Sequence, residues 1–309
     1  MPELHITAED FERMFHLPAG SLTARLQNQL RALNTSFHWA NEQEVREYLD
    51  LFESRISAPV NQRTPAETLA AFEKGWGENF QQLLEKGISA EVLKPGYFRG
   101  SKFLRYSGEI LVTGNFQLEF ELFGIARQIL FARYLSGYDC IWELGSGSGQ
   151  NLLMLAEQFP GVSLQGCDWT RASKQIADYI GQKLHRPISG NVFDMMSCAQ
   201  APAMPEHAAL ISVHAFEQLG QDFHAVLQYI LNCRPALVMQ YEPVLEFYNP
   251  ENILDALALR YCRKRHYLEG YYSTLLQLAE QGKLEILAAF RPGLGGVLHE
   301  SSVLVWKPC

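Results

Sequence analysis

The chain has 309 residues, 47% of them hydrophobic, and a net charge of −8, which suits one large domain or a domain with an accessory region around a full core. The acidic balance disfavours a nucleic-acid partner, because proteins bound through phosphates carry a basic surface. Met1-Pro2-Glu3-Leu4-His5 lacks the regions of a secretory leader and no apolar run reaches the length of a membrane span, so a cytoplasmic protein without membrane contact is expected. The six cysteines are scattered with no C-x-x-C pair, which reads as reduced thiols and no metal site.

Up to about residue 95 the pattern is helical. Thr7 before Ala8-Glu9-Asp10 suits the cap of a short first helix, and Leu22, Leu26, Leu30 and Leu33 fall at helical spacing after Ser21. Asn41 with Glu44 makes an N-cap pair ahead of the apolar face Val45, Tyr48, Leu49 and Phe52. Thr64-Pro65-Ala66-Glu67 joins a capping box to a proline at the first helical position. Phe72, Trp76, Phe80 and Leu84 then recur every four residues, while Gly75 and Gly77 weaken or divide that helix. Taken as residues 1–110, this region is expected to be helical and to serve as a lid, a substrate wall or a homodimer contact.

Residues 94–106 differ in character. Lys94, Arg99, Lys102 and Arg105 alternate with Tyr97, Phe98, Phe103 and Tyr106. Arginine clamps a carboxylate or phosphate with two hydrogen bonds, which makes Arg99, Arg105 and Tyr106 candidate contacts to an anionic substrate group. The plainer reading is a solvated connection with buried aromatics. The stretch 115–123 runs into a helix over 124–130, in which Asn115 and Glu119 read first as surface polar residues.

The remainder is organised around Ile141-Trp142-Glu143-Leu144-Gly145-Ser146-Gly147-Ser148-Gly149-Gln150-Asn151, read as strand, glycine turn and helix. Glycines permit positive φ and let a ligand approach the main chain. A dinucleotide fingerprint wants G-x-G-x-x-G; here the third glycine comes one residue early. Strands follow at 162–167, 187–194, 208–213 and 235–240. The first two lead to Asp168 and Asp194, and the last two lead to His214 and Glu242. Asp168 lies near the interval at which nucleotide folds present a carboxylate to a ribose. Two final strands, 284–290 and 297–306, flank the glycine-rich Pro292–Gly296 turn.

Glu143-x-Gly145-x-Gly147-x-Gly149, with Asp168 and Asp194 ending the next two strands, resembles the class I S-adenosylmethionine (SAM) methyltransferases over residues 111–309. The resemblance implies an α/β fold: a doubly wound, seven-stranded, mainly parallel sheet with a C-terminal antiparallel hairpin. It implies SAM as cofactor, S-adenosylhomocysteine as product and a small-molecule acceptor. The cofactor contacts it implies are Glu143, Gly145, Ser146, Gly147, Gly149, Asn151, Asp168, Trp169, Val192, Phe193, Asp194 and His214. Ligands of open α/β sheets bind beyond the carboxyl ends of the strands. His214 is therefore the candidate base, with Glu217 or Glu242 orienting it, because an imidazole titrates near neutrality. Many small-molecule members carry Leu-Glu-His where this chain has Phe216-Glu217-Gln218. Tyr241, His266 and Tyr271 join Arg99, Arg105 and Tyr106 as candidate substrate contacts. Two other functions fit the same residues: aminopropyl transfer, and a SAM-binding scaffold without catalysis.

Overall fold

The computed structural model describes residues 4–57, 64–96 and 98–309. Tyr97 and the Met1–Glu3 terminus therefore lie outside the described residues. The chain begins with β1 (Leu4–His5) and α1 (Ala8–Met14), which opens on a reciprocal capping box between Thr7 and Asp10. Next comes α2 (Ala24–Ala32), capped by Thr23 rather than following directly on Ser21. Then β2 (Ser36–Trp39) and α3 (Glu42–Ser57) follow, with Asn41 and Glu44 pairing at the helix start as expected. The next helix, α4 (Pro65–Lys86), starts with the Thr64–Glu67 capping box and runs unbroken through both glycines. A helical glycine costs about 1 kcal/mol, and burial of Trp76, Asn79 and Leu83 on one face offsets that cost.

The strands β3 (Phe103–Tyr106) and β4 (Glu109–Val112) precede α5 (Leu118–Tyr134), which leads into the alternating half. That half runs β5 (Cys140–Leu144), α6 (Gln150–Gln158), β6 (Ser163–Asp168), α7 (Arg171–Leu184) and β7 (Ile188–Val192). It continues with β8 (Ala209–Val213), α8 (His224–Cys233), β9 (Leu237–Glu242), α9 (Ile253–Lys264) and α10 (Tyr271–Glu280). It closes with β10 (Leu284–Phe290), β11 (Leu294–Gly295) and β12 (Ser302–Pro308).

The main sheet has the order β10-β12-β9-β8-β5-β6-β7. Its inner strands are parallel, and β12 enters antiparallel between β9 and β10. Successive side chains of a strand face opposite sides. On β5, Ile141 joins the core under α5, α6 and α7, while Trp142 and Leu144 join the core under α8 and α10. Glu143 therefore falls on the α6 side, where Asn151 meets it.

The N-terminal region also holds strands that the helical reading misses. β1, β2, β4 and β3 form a second, antiparallel sheet, and β11 completes it. The link between β10 and β12 is thus a strap from the main sheet to the accessory one. A tight turn is excluded because β12 starts at Ser302 rather than at Val297. The accessory sheet consequently draws on both sides of the 110/111 boundary. No described helix is long and apolar enough to cross a membrane.

Candidate functional site

The glycine turn between β5 and α6 takes the conformation its composition permits. Gly145, Gly147 and Gly149 have φ of 79°, 46° and 74°, which L side chains adopt only with strain. At Gly145 the space is closed as well: an added Cβ would lie 2.1 Å from the Ala215 methyl. Two buried carboxylates flank the turn. Asp168 ends β6; its Oδ2 accepts the Gly147 N–H at 3.1 Å, and its Oδ1 accepts the Thr170 N–H and hydroxyl at 2.9 and 2.7 Å. Burial raises its pKa against those hydrogen bonds. Glu143 Oε1 accepts from Asn151 Nδ2 at 2.6 Å, and Arg127 of α5 in turn donates to Asn151 Oδ1 at 2.6 Å and Gln150 Oε1 at 2.9 Å. Burial pushes Glu143 up to about 7, and its Oε2 has no hydrogen-bond partner among the described residues.

This turn forms one wall of a cavity of about 1330 Å³. Small-molecule sites usually span about 300–1,000 Å³, so this one has room for a cofactor and a second reactant. Its wall includes Glu143, Gly145, Ser146, Gly147, Asn151, Asp168, Trp169, Phe193, Asp194 and His214. The structure thus gathers ten of the twelve expected cofactor contacts. Gly149 lies below the wall as the left-handed cap of α6, and Val192 points to solvent. Asp194 accepts from the Met196 N–H and the Ser197 hydroxyl, so part of its capacity goes to its own turn.

The roof comes from α4, one helix of the region read in the sequence as a lid, a substrate wall or a homodimer contact. Trp76 lies over Gly147, where an added Cβ would meet its ring at 2.9 Å. Phe72 sits 5.7 Å from the Trp169 ring. The Glu73 carboxylate accepts the Arg171 and Ala172 N–H groups at 2.8 and 3.0 Å, satisfying free donors at the start of α7.

At the end of β8, His214 has φ of 53°, a strained value for a residue with a Cβ. Its Nε2 is 2.6 Å from Ser301 Oγ and its Nδ1 is 3.5 Å from Glu217 Oε2. Phe123 and His299 flank the ring at 4.9 and 5.8 Å. Burial, then His299 and Arg127, hold the imidazole well below its usual pKa, so it is neutral at neutral pH. Burial and the nearby Glu242 push Glu217 up to about 8. Gln218 lines the cavity and donates to Glu217 Oε1 at 2.8 Å, which orients that carboxyl.

Other expected residues are corrected. Glu242 does not reach the cavity. Its oxygens accept the Ser212 hydroxyl and the backbone N–H groups of Ala215, Phe216 and Glu217, so it pins the turn that carries His214. Arg105 is fully buried, bonded to the Tyr48 hydroxyl and the carbonyls of Val297 and Leu254. Tyr106 packs in the accessory sheet against Phe37 and Trp39. Tyr241 stacks under Phe123, and Tyr271 is buried with its hydroxyl donating to Gln240. His266 is exposed on the α9 side, off the cavity wall. Of the six expected substrate contacts, only Arg99 lies on the wall. Asn115 bonds to Asn34 and Glu121 away from it, whereas Glu119 does line it. Phe123 and Arg127 of α5, His299 of the strap and Tyr261 of α9 complete the wall without any local sequence signal.

No protein-family model and no curated protein matches the chain. Among solved structures, the [4+2]-cyclase SpnF aligns with a TM-score of 0.50 at 12% identity, over 79% of this chain and 96% of that one. The protein has the class I methyltransferase fold. Two further structures are similar at lower scores. The O-methyltransferase of a trans-AT PKS multienzyme from Brevibacillus brevis, in complex with S-adenosylhomocysteine, has a TM-score of 0.44 at 13% identity, over 59% of this chain and 71% of that one. The magnesium protoporphyrin IX methyltransferase of Synechocystis PCC 6803, with bound SAM, has 0.45 at 10% identity, over 64% and 85%. In class I methyltransferase terms, the seventh strand is β12, and the cavity opens at the carboxyl edge of β5, β6 and β8.

Proposed function

We propose that the protein binds SAM at the carboxyl edge of the sheet and transfers its methyl group to an oxygen or nitrogen of a small, anionic molecule. One observation carries this reading: a turn of three left-handed glycines lies between two buried carboxylates on the wall of a cavity that also holds His214. The residues fit the cofactor. Among the described residues, one carboxylate oxygen of Glu143 on that wall has no hydrogen-bond partner, which suits an ammonium group. Asp168 sits where the ribose diol of a nucleoside is bound in nucleotide folds, and Trp169 offers a flat face for the base.

When bound, SAM supplies a methyl group activated by its sulfonium, whose sulfur leaves as the neutral thioether of S-adenosylhomocysteine. The protein's contribution to such a displacement is alignment, and proton removal where the acceptor needs it. His214 takes that proton. It is neutral, and Glu217 beside Nδ1 and Ser301 beside Nε2 fix its ring. Glu242 acts through the backbone as a positioning residue. The α4 roof covers the glycine turn, with Trp76 over Gly147. The reduced thiols suit a cytoplasmic setting, and a homodimer through the N-terminal helices is the assignment that light scattering tests.

The fold does not fix the reaction, so the test must read both binding and turnover. SAM consumption with acceptor candidates should yield S-adenosylhomocysteine and a methylated product. Binding without product from any acceptor would favour a scaffold, and release of methylthioadenosine from decarboxylated SAM, supplied as a second donor, would favour aminopropyl transfer.

A further inference from the structure

The end of the cavity away from the glycine turn carries chemistry that methyl transfer alone does not use. Arg55 of α3 and Arg99 of the segment before β3 both line it. Arg55 is half-buried, and its pKa is lowered by that burial and then by the neighbouring Arg99, against the attraction of Glu119. Among the described residues no hydrogen bond or close ion pair engages either guanidinium. Elsewhere Arg260 pairs with Glu53 and Arg291 with Asp255, and Arg105 donates to two carbonyls. In a protein of net charge −8, the half-buried Arg55 and the exposed Arg99 on one cavity wall suit an anionic group.

Between this pair and the base the wall is flat and aromatic. Tyr261, which lies close enough to influence Arg55, stacks on His299 at 5.6 Å and 16°. His299 lies 5.8 Å from His214, and Phe123 closes the other side of His214 at 4.9 Å. The cavity thus reads as cation pair, aromatic track and base, in that order.

We propose that the acceptor is a planar aromatic carboxylic acid, its carboxylate held by Arg55 and Arg99 and its hydroxyl or amine presented at His214. This rests on the methyl-transfer reading above and names the substrate class for it. Glu119, beside Arg55 on the same wall, limits the local positive charge, which suits a monoanionic carboxylate better than a phosphate dianion. The ring of the acid lies against Tyr261, His299 and Phe123, which gives the selection for a flat molecule.

The test is calorimetry on the full chain with S-adenosylhomocysteine present. Two matched pairs serve as probes: 4-hydroxybenzoate with 4-hydroxybenzyl alcohol, and 4-hydroxycinnamate with 4-hydroxycinnamyl alcohol. In at least one pair the acid should bind about tenfold or more tighter than the alcohol. Arg55→Gln and Arg99→Gln should each weaken the acid by about ten- to a hundredfold, leaving the alcohol and S-adenosylhomocysteine unchanged. S-adenosylhomocysteine binding also shows that each variant is folded. Should Arg55→Gln not fold, phenylglyoxal labelling of the wild type replaces it: 4-hydroxycinnamate or 4-hydroxybenzoate should protect both arginines. Equal binding of acid and alcohol, no loss in the variants, no protection, or tighter binding of phenyl phosphate would each overturn the proposal. Failure of S-adenosylhomocysteine to bind, with the acid still bound, would instead remove the methyl-transfer reading and leave the anion site.

Discussion

Asp168 and Glu242 both end strands at the same edge of the sheet, yet they do different work. Asp168 spends one lone pair on the Gly147 N–H and others on Thr170, and still lines the cavity. Glu242 gives its oxygens to a serine and three backbone N–H groups and does not. Asp168→Asn keeps the shape and removes the charge, so SAM affinity should fall by about 1–3 kcal/mol with the fold intact. Unchanged affinity in calorimetry would remove the ribose assignment. For His214 the lowered pKa sets the sign of a pH profile. A base already neutral gains nothing above the ordinary histidine range, so replacing His214 should remove only an acid-side fall in kcat/KM, below about pH 6.5, and leave the limbs of Glu143 and Glu217 in place. His214→Ala should cost about 100-fold or more in kcat; full turnover in that variant at every pH would contradict the role. Residue type and strand position made Asp168, Glu143 and His214 legible in the sequence. They could not separate Glu242, Tyr271 or Arg105 from them, because burial and spent lone pairs are set by partners distant in the chain.

The element scale shows which helix covers the site. The Phe72, Trp76, Phe80 and Leu84 stripe reads as a packing face; Trp76 meets Gly147, Phe72 meets Trp169 and Phe80 meets Tyr179, whereas Leu84 is exposed. Spacing gives the face of a helix but not its partner, so the roof became visible only with the fold. Glu73 fastens α4 to the start of α7. Glu73→Ala should cost about 0.5–2 kcal/mol, the range of other helix-start acceptors, measured by urea unfolding; no loss would mean that the aromatic contacts alone hold the roof. The strap is the other lesson. Gly293, Gly295 and Gly296 looked like a tight hairpin turn, but β11 pairs with β3 and brings His299 and Ser301 to the base. At Gly296 an added Cβ would fall 2.1 Å from the Glu119 carboxylate. That glycine serves close approach as well as turning.

Across the whole molecule, among the described residues, burial raises the carboxyls of Glu119, Glu143, Asp168, Glu217, Glu242 and Glu300. Glu119, Glu143 and Glu242 are pushed to about 7 and Glu217 to about 8, in each case chiefly by burial. A carboxyl whose folded pKa is raised binds its proton more tightly folded than unfolded, so stability is lost as pH rises past the unfolded value. The buried histidines act the other way. His299, held at about 4 by burial and Arg105, and His214 both stay neutral when folded. They therefore cost stability only as pH falls below about 6.5, the unfolded histidine value. Above that pH only the carboxyls act, and Tm of the ligand-free protein should fall between pH 6.5 and 8.5. A rising or flat Tm over that interval would mean that these carboxyls are ionised in the fold. Opposing groups of this kind, all but Glu242 and Glu300 on the cavity wall, are the signature of a site rather than of a core.

The central claim is that the glycine turn and its flanking carboxylates hold SAM. Calorimetric titration of the purified protein with SAM and S-adenosylhomocysteine, with NAD as control, tests it most directly. Micromolar binding of the first two and none of NAD is the result predicted. NAD binding, or a folded protein that binds neither SAM nor its product with or without an aromatic acid present, would contradict it.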